Sequence, residues 1–143
     1  MEVETLKNAI GYVLLGVISL SGCTSSTSSL PLGGKCEDAL SALVSVNSIA
    51  SSIEGDKVVN YLLYEVDKEA ARQELELAIS SLDKYGDGDL GSAANYQLIQ
   101  EIKTDIASIS NYLDGSDFFK LVDLGGEYRA HAASLKGICS EVP

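Results

Sequence analysis

Ser92-Ala93-Ala94-Asn95-Tyr96-Gln97-Leu98-Ile99-Gln100-Glu101-Ile102-Lys103-Thr104-Asp105-Ile106-Ala107-Ser108-Ile109-Ser110-Asn111-Tyr112-Leu113 reads as one helix, and that reading decides the fold. From Ile99 its large aliphatic residues, Ile102, Ile106, Ile109 and Leu113, recur at intervals of three and four, with Leu98 beside them. Such spacing gathers them on one face of a helix, whereas a half-buried strand needs alternation at every second residue. Ser92 stands where a hydroxyl N-cap accepts from the first free amides, and Asp114-Gly115 ends the pattern. A helix with so long an apolar face needs neighbours to cover it.

The flanking sequence supplies those neighbours. Upstream of the break Gly86-Asp87-Gly88-Asp89-Leu90-Gly91, a segment from about Lys57 to Tyr85 carries a stripe of Val59, Leu62, Leu63, Val66, Ala70, Leu75, Ala78, Ile79 and Leu82. Its middle, Asp67 to Glu74, is rich in helix formers and in charges at helical spacing, Glu69 with Arg72 among them. The expectation is an exposed stretch of one long helix. A first segment, from about Lys35 to Glu54, repeats Cys36, Ala39, Leu40, Leu43, Val46, Ala50 and Ile53. Gly55 ends it, and Asp56 can cap the next helix. Downstream, Ser116 can cap a last helix built on Phe118, Phe119, Leu121, Val122, Tyr128, Ala132, Leu135, Ile138 and Cys139. Gly125-Gly126 inside it predicts a kink or a close helix–helix approach. Four amphipathic segments joined by short breaks predict an all-α fold, an up-down-up-down four-helix bundle over residues 35–143. The absence of tryptophan and the low count of phenylalanine suit packed helices better than a β-sandwich.

Ahead of this domain the chain changes character. Met1 to Asn8 is polar, Ala9 to Leu20 is mostly apolar, and Ser21-Gly22-Cys23 comes directly after. An apolar run of about 10–14 residues is short for crossing a bilayer and has the length of a signal-peptide core. Leu20-Ser21-Gly22-Cys23 resembles the lipobox of prokaryotic lipoproteins. The resemblance covers about the first 30 residues. It implies cleavage before Cys23 and a thioether-linked diacylglyceryl group on that cysteine, with further acylation such as palmitate. The leader departs from the usual net-positive start in carrying Glu2 and Glu4 against Lys7. Two other readings stay open, an ordinary cleaved signal and an uncleaved anchor. Thr24 to Ser29, then Leu30-Pro31-Leu32-Gly33-Gly34, cannot build a core and read as a flexible tether over residues 23–34. With Thr24 rather than aspartate after the cysteine, the resemblance implies the outer membrane if the cell is Gram-negative.

Removing residues 1–22 takes Glu2, Glu4 and Lys7 from the 21 acids and 10 bases, leaving 19 against 9 and a formal charge of −10. Such a balance excludes a nucleic-acid partner, whose binding rests on Lys and Arg neutralising phosphates, and disfavours a domain lying flat on anionic lipid. With Cys23 given to the lipid, Cys36 and Cys139 remain. In the oxidising setting of an exported chain they are expected to pair, with two buried thiols as the other reading. In an up-down-up-down bundle the start of the first helix and the end of the fourth share one end, so cysteine placement and helix count support one another. The same geometry puts residues 86–91 at that end and the turns at Gly55 and Gly115 at the other.

Few residues point to chemistry. Asp83-Lys84-Tyr85-Gly86-Asp87-Gly88-Asp89 has the oxygen-rich look of a calcium loop, but counting from Asp83 the third position is Tyr85 and the twelfth is Ala94, so an acidic turn is expected and no metal is assigned. His131 is the only histidine, with Glu127 and Tyr128 one turn before it. No nucleophile or second histidine completes a catalytic set, and no cofactor motif is present in the sequence. Tyr61 and Tyr64, three apart, are candidates for an interaction face. The expectation is a non-enzymatic envelope lipoprotein, anchored through Cys23, whose helical domain engages an envelope or secreted protein. The alternative is a small-ligand-binding bundle, which would show a sealed interhelical cavity. Carboxylates converging on His131 in a cleft would favour an enzyme.

Overall fold

The computed structural model describes residues 32–62, 67–115 and 117–141. The leader, Cys23, the tether as far as Pro31, and Leu63, Tyr64, Val66 and Ser116 lie outside the described residues. Those described form six helices and no strand: α1 (Leu32–Ala42), α2 (Val44–Ser52), α3 (Lys57–Asn60), α4 (Lys68–Leu82), α5 (Ala93–Tyr112) and α6 (Phe118–Ser140). The all-α expectation is met.

The first predicted segment becomes α1 and α2, which a break at Leu43 separates. The apolar register runs through that break: Cys36, Ala39, Leu43, Val46, Ala50 and Ile53 are all buried, alternating steps of three and four. Leu32-Gly33-Gly34, expected in the tether, forms the first turn of α1. Gly33 and Gly34 line an open recess together with Cys139 and Ser140 of α6. Gly55 ends this part with φ +56, the left-handed conformation that favours glycine. Asp56 makes no side-chain cap to α3.

The long helix expected over Lys57–Tyr85 is not continuous. Asp67 is extended, and its carboxylate accepts from the amides of Glu69 and Ala70, each at 3.1 Å, so a new helix begins at Lys68. An acidic N-cap facing orphan amides favours a fresh helix start at this point. The phase resets with it. Ala71, Leu75, Ala78 and Leu82 are buried, while Ala70 and Val59 are exposed. Ser92 caps α5 as expected, accepting from the amide of Asn95 at 3.2 Å. For α6 the cap is Asp117, which accepts from the amide of Lys120 at 2.9 Å.

α1 and α2 pack against α4 on one side and α6 on the other, α4 packs against α5, α5 packs most extensively against α6, and α3 rests on α6. The core is aliphatic with Tyr61, Tyr85 and Tyr128 added. Phe119, expected in it, is 87% exposed. The buried residues of α6 start at Leu121 and Leu124, and a position two before Leu121 points about 200° away around the helix. Leu90, in the break after α4, is instead fully buried. Gly125 marks a close approach, since a Cβ there would meet Cγ1 and Cδ1 of Ile53 at 3.1 Å. The sulfurs of Cys36 and Cys139 stand at disulfide distance, with Cα atoms 5.4 Å apart across a sequence separation of 103. Among the described residues no helix is long and apolar enough to cross a membrane.

Candidate functional site

Chemistry gathers in two places. The first is the seam between α5 and α6. Asp105 sits inside the Ile102–Ile106–Ile109 stripe of α5 and is 7% exposed, the one buried charged residue among those described. From α6, His131 Nδ1 stands 2.6 Å from Asp105 Oδ2, and its Nε2 stands 3.6 Å from Glu101 Oε2. Glu101 and Asp105 lie one turn apart on α5, so both reach the same ring. An ionised carboxylate only accepts, so Nδ1–H donates and Nε2 is left toward Glu101. The hydrogen bond to Asp105 lifts the His131 pKa above its ordinary value; partial burial opposes this, and the charges of Asp105, Glu101 and Glu127 add to it. Burial pushes the Asp105 carboxyl up, against the lowering pull of His131.

The sequence placed Glu127 and Tyr128 beside His131. Tyr128 turns elsewhere: it is fully buried, and its hydroxyl donates to Asn47 Oδ1 at 2.7 Å. Arg129 Nη1 donates to the carbonyl of Ala50 at 2.8 Å. These two bonds tie α6 to α2. Burial, with the charge of Asp105 behind it, drives the Tyr128 pKa far up. The Asp105–His131 pair was missed, although one signal for it was present. A carboxylate inside an apolar stripe needs a partner, and the chain has one histidine.

The second place is the outer seam where α1 and α2 meet α6. An open groove of about 320 Å³ is floored by Leu40, Leu43 and Ala132 and flanked by Asn47, Arg129 and Lys136. A second recess of about 400 Å³ shares Leu40 and Lys136 with it and runs past Cys36 and Cys139. A third, of about 550 Å³, lies off this seam between α2 and α3, shares Ser51 with the first and is lined by Ser48, Ser52, Lys57, Asn60 and Tyr61.

Tyr61, half of the expected tyrosine face, is buried, and burial raises its pKa. It forms a wall of the third recess rather than an exposed contact, and Tyr64 lies outside the described residues. The turn after α4 is held by its own charges. Asp89 accepts from the Gly86 amide at 2.6 Å and from Lys35 Nζ at 2.7 Å, Lys84 pairs with Asp38 at 3.3 Å, and Asp83 pairs with Lys103. The Lys35 hydrogen bond, then that of Gly86, holds the Asp89 carboxyl below its ordinary range. The Tyr85 hydroxyl donates to the Lys35 carbonyl at 3.0 Å, and burial, with Asp38 and Asp89 adding, pushes its pKa up to about 12. Among the described residues no group of three or more His, Cys, Asp or Glu side chains is placed to hold a metal ion. Comparison with known proteins returned no matching family, no matching curated protein and no matching solved structure.

Proposed function

We propose that the chain is an exported lipoprotein, held to the membrane by a lipid on Cys23, whose acidic helical domain is a non-enzymatic interaction or accessory module of the cell envelope. The observation that carries this reading is Leu20-Ser21-Gly22-Cys23 placed directly after the apolar run Ala9 to Leu20 and before a hydroxyl-rich stretch. Each buried CH₂ of a lipid contributes about 0.8 kcal/mol, so two acyl chains hold firmly where one binds reversibly. In a Gram-negative cell the membrane is the outer one.

The domain fits an up-down-up-down bundle in which α1 and α2 together form the first helix and α4, α5 and α6 the others. Support comes from contacts that follow chain order around a ring, closed where α6 meets α1. The interaction reading is favoured over the small-ligand alternative because these three recesses are open grooves rather than a sealed cavity. His131 with Asp105 has the geometry for proton transfer, yet Nε2 faces Glu101, and none of these grooves is lined by His131, so catalysis is the weaker reading.

Mass analysis of the mature N-terminus tests the anchor. The expected result is a chain beginning at Cys23 with a diacylglyceryl mass on it. A mature chain with unmodified Cys23, or one retaining residues 1–22, would overturn the anchor reading.

A further inference from the structure

The cations of the domain divide into two groups. Lys35, Arg72, Lys84 and Lys103 each pair with a carboxylate: Lys35 with Asp89, Arg72 with Glu69 and Asp114, Lys84 with Asp38, and Lys103 with Asp83. Among the described residues Lys57, Lys68, Lys120, Arg129 and Lys136 have no carboxylate within ion-pair distance. Two of these five, Arg129 and Lys136, line the grooves of the α1–α2/α6 seam, where Glu37 is the single carboxylate, while Lys57 lines the recess between α2 and α3. In a chain whose acids outnumber its bases by 21 to 10, this trough inverts the local sign of charge. The neighbouring groove between α2 and α4 has the bulk charge instead, being lined by Asp67 and Glu74 and by no cation.

Shape and spacing narrow the occupant. The trough lies between two helices, the place where a third helix packs. Arg129 and Lys136 are seven residues apart on α6, a rise of about 10 Å. Leu40, Leu43 and Ala132 form an apolar floor between them. A partner helix running along α6 would meet both cations with carboxylates at i and i+7 and would set apolar residues at i+3 and i+4 on the floor.

We infer that the α1–α2/α6 seam is a docking groove for an acidic amphipathic helix of a partner protein, held by Arg129 and Lys136 over the Leu40–Leu43–Ala132 floor. The assignment rests on the interaction reading above and gives it a surface and a partner chemistry. Charge complementarity sets orientation and encounter rate, and salt weakens it.

A binding titration with the purified full chain tests the groove. The probe is a helical peptide of about 18 residues, long enough to hold helix in water, with Glu at i and i+7 and Leu at i+3 and i+4. The expected result is saturable binding that weakens as salt rises. Lys136→Glu should lose about tenfold in affinity while leaving the circular dichroism spectrum unchanged, because Lys136 is exposed and makes no side-chain hydrogen bond or ion pair among the described residues. Equal binding by the peptide with Lys in place of Glu, an unchanged affinity in Lys136→Glu, or no binding would overturn the groove. So would binding of laurate without binding of the peptide, which points to a small ligand.

Photo-crosslinking from the full chain in its native envelope separates failure of the groove from failure of the interaction reading. A protein adduct from a crosslinker at Ala133, lost in Lys136→Glu, supports both. An adduct from Leu77 on α4 alone removes the groove and keeps the interaction reading. No protein adduct from either position removes both.

Discussion

His131 is the chain's only histidine, and it meets the one buried charge among the described residues. Its pKa is raised by the Asp105 hydrogen bond, so the folded state holds this proton more tightly than the unfolded chain does. A raised histidine contributes stability that is fully present below the unfolded value, about 6.5, and is lost as pH rises through the folded value. The upward shift of Asp105 acts in the same direction. The domain should therefore lose stability as pH rises above about 6.5, measured as a falling urea midpoint, and His131→Gln should flatten that slope. His131→Leu should lose about 1–3 kcal/mol at pH 6, because Asp105 is left buried without its donor. A pH-independent midpoint for the native chain would refute the coupling. Tyr128→Phe tests the neighbouring bond, with a loss of about 1 kcal/mol expected from removing the hydroxyl donor to Asn47. At this scale the sequence was least informative. Spacing placed Glu127 and Tyr128 near His131 because it knows only one helix, whereas Asp105 and Glu101 arrive from α5 through tertiary packing.

Elements were more legible, since periodicity is a property of one segment. The α5 stripe holds residue for residue, and the Cys36-to-Ile53 register survives the break at Leu43 because steps of three and four keep one face turned inward. What failed were competitions that a stripe does not report. Asp67 caps α4 and cuts a helix that propensity would have carried through, and Phe119 falls outside the face that Leu121 sets. Gly125-Gly126 predicted a kink or a close approach, and Gly125 provides the second. Three glycines of α6 separate propensity from packing. Replacing a helix-interior glycine with alanine gains up to about 1 kcal/mol where nothing obstructs the new methyl. Gly137 has no atom within 4 Å of an added Cβ, and at Gly126 the nearest is Arg129 Nη2 at 3.9 Å, so both alanine variants should be stabilised by about 0.5–1 kcal/mol. At Gly125 the methyl must displace Ile53, which is fully buried in the core and has little room to yield. Gly125→Ala should gain nothing or lose stability. Denaturant midpoints of the three variants, measured side by side, give the order, and a Gly125→Ala midpoint equal to that of Gly137→Ala would remove the close packing against Ile53.

For the whole molecule the informative pair is the one at its two ends. Cys36 lies near the start of α1 and Cys139 near the end of α6, and the fold brings their Cα atoms to 5.4 Å. A covalent bond across 103 residues would constrain the unfolded chain, which the non-covalent ties between α2 and α6 do not. For a closed loop of about 100 residues the chain-entropy model gives about 4.7 kcal/mol, and removal of native bonds typically costs about 2–5 kcal/mol. That is large against the roughly 5–15 kcal/mol net stability of a domain. It also acts against self-repulsion, because a formal charge near −10 favours expansion of a small acidic chain. Two consequences are separable. Cys36→Ser with Cys139→Ser should lower the urea midpoint without abolishing helix, since the buried stripes of α4 and α5 do not depend on the bond. Added salt should recover part of the loss by screening the acidic surface, an effect a purely entropic crosslink does not supply. The m-value should rise in the double variant, because the unlinked unfolded chain exposes more surface. Thiol titration of the native oxidised chain in denaturant decides the premise. Absence of free thiol at Cys36 and Cys139 is expected, and two free thiols there would leave the ends held by packing alone.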